Sequence, residues 1–516
     1  MDIELIKETV EYENYIGEFS NECMFRGDYL IPDTEPDVYK ILMVDAKPWV
    51  KSIDVMDGRV SVQGDLQFNI IYSTMEEDET LVRSVNYEDK FSCAIDTSSG
   101  GRDIRVEVFP FVQHIHSLIM NERKINIDGI LQLKVLVNNR EKYEILKEIN
   151  GNDKLELLRK PIDLDVYKGT YNNDIVIKES IHVLGDKPAI DKVLKLDAFI
   201  TKRDYKAYDN KVYVEGYLTL IALYFGKDNS GIYTVENEVQ FTKDIETENI
   251  GESVLIDSRF KLNNIYYELK QNDMGEDKVI SVEVLIKSTV NVIEKNVENI
   301  VDDAYSPKTK FNIEKENMPI TSVSHLNKWK LIIKEDIEVE NKIPESILYT
   351  IANPDLIHKN LIDDKILLEG IINLDIIYKV RNENNYDSIK YQIPFTSTID
   401  VNGVSPNMKL AVLVYLDGIS VDVEGKNIAV KALLDINYKI LCVDDKNLIT
   451  QVSETDEIIP PKDYSMSIYT VQEGENIWDI SKKFNVLMDD IIKANNLEKN
   501  EVKAGNKIII LGKSII

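Results

Sequence analysis

Metal binding and nucleophilic catalysis would draw first on histidines and cysteines, and the chain holds five of the former and three of the latter. His114 and His116 alternate onto one strand face and could share a metal ion, but no third ligand stands near them in sequence. His182, His325 and His358 are scattered. Cys23, Cys93 and Cys442 show no metal-ligand or disulfide-like spacing, and so sparse and odd a count fits a reducing compartment. Cys93 and His114 have the residue types of a cysteine hydrolase without the sequence context of one. His-Glu-x-x-His, P-loop, Gly-x-Gly-x-x-Gly and Gly-x-Ser-x-Gly motifs are absent, and among 90 acidic residues no acid–base pair stands out. The expectation is no catalytic residue, no metal, no cofactor, and a protein that is not an enzyme.

The elements that carry these residues form a long repeat. Arg59-Val60-Ser61-Val62-Gln63-Gly64 returns as Lys211-Val212-Tyr213-Val214-Glu215-Gly216 and as Lys365-Ile366-Leu367-Leu368-Glu369-Gly370, with the glycines 152 and 154 residues apart. Tyr72, Tyr224 and Tyr378 each lie eight residues beyond their glycine. Phe91, Phe241 and Phe395 follow 27, 25 and 25 residues after it, and Pro36, Pro188 and Pro344 precede it by 28, 28 and 26. Each unit closes on a second alternating block, Ile125 to Val137, Val279 to Val292 and Ile428 to Leu441.

Period-two alternation turns apolar side chains to one face, as a half-buried antiparallel strand requires. A glycine inside such a strand predicts a bulge or a close approach to a neighbouring backbone. Proline suits the first turn of a helix, so a short helix is expected after each proline. Every unit is large enough to bury its own core, which makes an array of domains rather than a solenoid.

The whole chain, at 516 residues, is too long for one core, and its 43% apolar content argues for folded structure. The net charge of -29 comes from scattered acids and disfavours nucleic acid and anionic membrane as partners. The N-terminal Met1-Asp2-Ile3-Glu4 lacks a signal-peptide pattern, and no window approaches 18 consecutive apolar residues. A cytosolic protein without membrane insertion is expected.

Composition changes after Pro460-Pro461. Tyr469 and Val471 alternate as one strand, and Ile508 and Ile510 as another. Asn476 with Asp479 reads as a capping box, Ile477, Ile480 and Phe484 fall on one helical stripe, and Asn485 suits a left-handed helix end. This segment resembles the LysM domain, with Gly474, Phe484, Val486, Ile491, Asn495, Asn496, Leu497 and Gly505 also matching its pattern. The resemblance implies a small βααβ fold that binds N-acetylglucosamine glycans through two loops, here Gly474, Glu475, Asn476 and Ile477 in the first and Asn495, Asn496 and Leu497 in the second. Three positions depart from the family. Its usual Gly-Asp-Thr is Gly474-Glu475-Asn476, Leu487 replaces the Ser or Thr cap of the second helix, and Leu511 replaces a closing proline. Leu487 with Trp478 and Met488 then offers an apolar, protein-binding face, unless these side chains pack within the module. The last 51 residues hold seven Lys and seven acids, so this module is neutral beside an acidic body.

The repeats, in order and spacing, resemble the coat-associated domains of clostridial spore-coat morphogenetic proteins over most of residues 25–455. Combined with a terminal LysM, this implies a SipL-like family of coat scaffolds in the mother-cell cytoplasm, at the forespore surface. It further implies a LysM that binds the coat morphogenetic ATPase SpoIVA, with other coat proteins as partners for the repeats. The alternative is a glycan-binding cell-wall or cortex protein; a peptidoglycan hydrolase would need a catalytic domain and an export signal. The expected fold is multidomain and mainly β: three related β-rich (α+β) modules with a short helix each, followed by the βααβ LysM. The expected boundaries are an N-terminal lead-in at 1–24, modules at 25–165, 166–325 and 326–457, a linker at 458–466 and the LysM at 467–513.

Overall fold

The computed structural model describes residues 3–76, 79–97, 104–151, 154–185, 187–227, 231–383, 385–460, 462–497 and 502–512. It is mainly β, in three copies of one topology and a small C-terminal domain. The first module comprises β1 (Glu4–Leu30), β2 (Lys40–Met56), β3 (Arg59–Glu76), β4 (Glu79–Asp96), β5 (Ile104–Asn121) and β6 (Lys124–Asn150). Its strands pair antiparallel in two sheets, β2-β3-β4 and β1-β6-β5. The second module repeats this with β7 (Glu156–His182), β8 (Ile190–Tyr208), β9 (Lys211–Gly226), β10 (Ile232–Glu246), β11 (Val254–Gln271) and β12 (Asp277–Tyr305). The third does so with β13 (Thr309–Glu338), β14 (Pro344–Ile362), β15 (Lys365–Val380), β16 (Tyr386–Asp400), β17 (Lys409–Glu424) and β18 (Asn427–Ile458).

The repeated landmarks are contacts within a module. Gly64, Gly216 and Gly370 lie on the central strand of their sheets, directly opposite Phe91, Phe241 and Phe395 of the next strand, whose rings lie over them. A Cβ on Gly64 would come within 2.6 Å of Phe91 Cζ, and one on Gly216 within 2.7 Å of Phe241 Cζ; Gly370 is covered by Phe395 in the same way. The strand on the other side bulges at the same level, between Val50 and Ser52, Thr201 and Asp204, and Leu356 and His358. The expected close approach to a neighbouring backbone is found at Gly64 and Gly370, beside the Trp49 and Asp355 carbonyls, while the bulge lies on that neighbouring strand rather than at the glycine. Tyr72 and Tyr224 are fully buried and donate to the Pro36 and Pro188 carbonyls at 3.1 and 3.2 Å, which ties the proline landmark to the tyrosine one.

Three expectations are corrected. The short helix after each proline is a strand: Lys40, Ile190 and Pro344 begin β2, β8 and β14. The apolar run hides its period because it is buried on both sides. Val44 and Val193 enter their own module cores, while Leu42, Met43 and Leu194 enter a core shared between modules. Residues 4–24 of the expected lead-in at 1–24 are most of β1, paired with β6 along its length, so the modules run from β1 to β6, β7 to β12 and β13 to β18 rather than breaking at 165 and 325. Finally, Cys23 of β1 and Cys93 of β4 form a disulfide with Cα atoms 6.1 Å apart. Their separation of 70 residues carried no hint of it, because the two strands meet only when the module's two sheets close on each other. The cysteines therefore give no argument for a reducing compartment.

Each module has its own core, and four further apolar clusters draw on more than one module. Ile71, Leu223 and Ile377, each one residue before the repeat tyrosine, meet in the first of these. Equivalent positions of three repeats thus converge on a common seam, and the modules form one closed body rather than beads on a string. Polar groups complete the seam. Asp197, 2% exposed, accepts from Lys47 of the first module and from the Tyr349 hydroxyl of the third, while Lys195 donates to Asp45. Burial opposes charge on Asp45, yet Lys195 and Lys47 hold its carboxyl below the usual range.

Candidate functional site

The C-terminal domain follows β18 and comprises β19 (Met466–Thr470), α1 (Ile477–Phe484), α2 (Met488–Asn495) and β20 (Lys507–Leu511). β19 and β20 pair antiparallel, and Val471, Ile480, Val486, Ile491, Ile508 and Ile510 form a core of their own. Helix α1 starts on the expected capping box, with Asn476 and Asp479 exchanging side chain-to-backbone hydrogen bonds at 3.1 Å. It ends on Asn485 in the left-handed conformation at φ 49°. Leu487 occupies the N-cap of α2 and makes no capping bond, as its side chain requires.

The sequence-derived site residues separate into five groups. Gly474, Glu475 and Asn476 form the open first loop. Gly474 needs its φ of +83°, and Glu475 braces the loop by accepting from the Tyr469 hydroxyl at 2.8 Å and the Gln472 N–H at 2.9 Å. The Gln472 N–H, then Tyr469 and Lys483, hold the Glu475 carboxyl below its usual range. Ile477 is a buried residue at 1% exposure. Asn495 is structural. Its amide donates to the Ile509 carbonyl at 2.8 Å and accepts from the Ile509 N–H at 2.6 Å, closing the outer edge of β20 as another strand would. Asn496 is exposed and Leu497 half-buried in the second loop, of which residues 498–501 lie outside the described residues.

Trp478 is neither an exposed partner residue nor part of the small domain's core. It is 5% exposed because it packs on the second module, with its ring edge-to-face on Tyr305 at 4.9 Å. Its indole N–H donates to Asp303 at 3.3 Å, Lys482 reaches Asp303 at 2.7 Å, and the Tyr305 hydroxyl donates to the Val486 carbonyl at 2.9 Å. Leu487 is half-buried beside this contact, and the next N–H, of Met488, donates to Glu156 of β7 at 3.2 Å. The expected apolar face of Trp478, Leu487 and Met488 is thus largely taken by the protein itself.

A different apolar surface remains open, and the sequence reading missed it. Met466 and Ile468, 56% and 62% exposed, pair across the sheet with Leu511 and Ile509 on the face turned away from the helices. The signal was there in the alternation. If Tyr469 and Val471 point inward, Met466 and Ile468 sit on the opposite face.

In the body, a concave region of about 620 Å³ is lined by all three modules, including Trp49, Phe111, Phe199 and Tyr391. Two of its three acids, Asp45 and Asp197, are paired with seam lysines, and the third is Asp375. His114 and His116 are exposed on β5, and among the described residues no three His, Cys, Asp or Glu side chains gather to hold a metal. No helix among the described residues is long and apolar enough to cross a membrane.

Comparison with known families falls on the same divisions. The model described as SipL, SPOCS domain matches residues 37–120, 189–270 and 344–424, and the LysM domain model matches residues 469–511. Each SPOCS match spans the four middle strands of a module, from β2 to β5, β8 to β11 and β14 to β17, and the flanking strands complete the fold. No solved structure matches the chain. The chain is a SipL-like protein of three SPOCS domains and a C-terminal LysM domain, and it belongs with proteins of sporulation.

Proposed function

We propose that this SipL-like chain is a non-catalytic scaffold for spore-coat assembly, acting at the forespore surface from the mother-cell cytoplasm, whose LysM domain holds the coat ATPase SpoIVA. The observation that carries this reading is the open apolar face of Met466, Ile468, Ile509 and Leu511 on the LysM sheet. Exposed contiguous apolar surface on a folded domain marks a protein contact, and its large side chains are the residue types that dominate binding energy. The body serves as a rigid spacer, since its three modules share their cores, and its acidic surface offers further coat proteins a contact. The test is capture of purified SpoIVA by the full chain, with Ile468→Asp expected to lose it while the far-ultraviolet circular dichroism is unchanged.

A second reading, glycan binding, is favoured by the first loop, where Gly474 and Asn476 are exposed. Retention of the chain on chitin oligomers, lost in Asn476→Ala, would support it.

A further inference from the structure

The helix that cannot cap itself is the one whose end touches another domain. Leu487 leaves the first N–H groups of α2 without a side-chain acceptor, and an uncapped eight-residue helix is marginal. Glu156, from the first residue of β7, accepts the Met488 N–H at 3.2 Å and places its carboxyl at the N-terminal end of α2. The end of β12 adds the rest of the contact within three residues. Asp303 takes Lys482 and the Trp478 indole N–H, and Tyr305 packs edge-to-face with the indole and donates its hydroxyl to the Val486 carbonyl. Val486 belongs to the LysM core, so the contact reaches the fold of the domain as well as its surface.

We propose that the α1–α2 face of the LysM domain is a docking site for a strand end that carries an acid two residues before an aromatic, and that Asp303-Ala304-Tyr305 of the second SPOCS domain occupies it in cis. Docking completes the α2 cap through Glu156 and covers Trp478. Tethering makes the internal segment an effective competitor, because the seven residues between β18 and β19 keep it at high local concentration. A protein that uses the Trp478 face therefore has to present the same chemistry, a carboxylate for Lys482 and the indole N–H plus an aromatic ring for Trp478, and must displace Tyr305. The outer sheet face of Met466 and Ile468 stays open in the docked form, so a partner there binds without competing. Only this competition rests on the protein-binding role proposed above; the docking itself does not.

The test is hydrogen exchange of the full chain, wild type against Tyr305→Ala, Glu156→Ala and Glu156→Gln. In Tyr305→Ala and Glu156→Ala, amides of Trp478 to Asp490 should exchange roughly 3- to 30-fold faster, the range that loss of a helix cap supports, with the strands of the body unchanged. Glu156→Gln, which keeps an acceptor oxygen, should recover part of the protection. Unchanged exchange at Trp478 to Asp490 in both alanine variants would overturn the docking. A peptide with the sequence of residues 299–306, added to each protein, should quench Trp478 fluorescence at lower concentration with Tyr305→Ala than with wild type. Equal or absent binding to both would overturn the specificity for the acid–x–aromatic end, while leaving the SpoIVA reading to its own capture experiment.

Discussion

The SPOCS body and the LysM domain treat their polar and apolar surfaces in opposite ways. In the body, large apolar groups at equivalent repeat positions converge on a shared seam, and its charged residues find complementary partners on other modules. The LysM domain makes one compact contact through Trp478, Lys482 and Met488, and leaves the other side of its sheet apolar and open. A region that closes on itself is rigid, whereas an apolar face kept open beside it is the surface on which the proposed protein contact rests. The seam also differs from a symmetric assembly in an instructive way. The equivalent positions Met43, Lys195 and Tyr349 are three different residue types, and the aspartates Asp45 and Asp197 have Ile351 as their counterpart in the third module, so their complementarity fixes which module sits where.

Breaking the seam should produce the largest effect. Asp197→Ala leaves Lys47 and the Tyr349 hydroxyl without their acceptor and removes a carboxylate 3.5 Å from Lys195, and should destabilise the body by about 3–5 kcal/mol in denaturant unfolding of the full chain. A cost below that of an exposed ion pair would show the seam to be incidental. Next comes Gly216→Val, which forces a branched side chain against the Phe241 ring and should cost roughly 1–3 kcal/mol, within the second module.

The smallest effect is a pH dependence of LysM docking. Burial holds the Glu156 carboxyl above its usual range, with the Met488 N–H opposing the rise and Asp489 and Asp490 adding to it; Tyr305 also faces it. A carboxyl whose pKa rises on docking takes up protons on docking. Docking should therefore tighten as pH falls into the interval just above the ordinary carboxylate value, and be weakest at higher pH. Trp478 fluorescence followed from pH 7 downward should show this slope in wild type and lose it in Glu156→Gln.

How much of this was legible in the sequence follows from where each contact lies. The Gly, Tyr, Phe and Pro landmarks are contacts inside a module, so they recur at fixed spacing and three copies could be recognised from the residues alone. The seam residues differ from copy to copy, and two-sided burial of Leu42, Met43 and Val44 disguised a strand as a helix. The capping box at Asn476 and the cap missing at Leu487 were both legible, because caps are local. What replaced the missing cap was not, since Glu156 lies 332 residues away in sequence. Trp478 was singled out for its size, but its covering partner, Tyr305, is visible only once the domains are placed.

The most direct test of the LysM domain as a protein-binding handle compares two full-length variants, Ile468→Asp and Asn496→Ala, for capture of purified SpoIVA and for retention on chitin oligomers. A protein-binding sheet face predicts that Ile468→Asp loses SpoIVA while Asn496→Ala, in the second loop, retains it, with neither variant depending on chitin. Undiminished capture by Ile468→Asp, or chitin retention that Asn496→Ala abolishes with no SpoIVA bound to wild type, would contradict it.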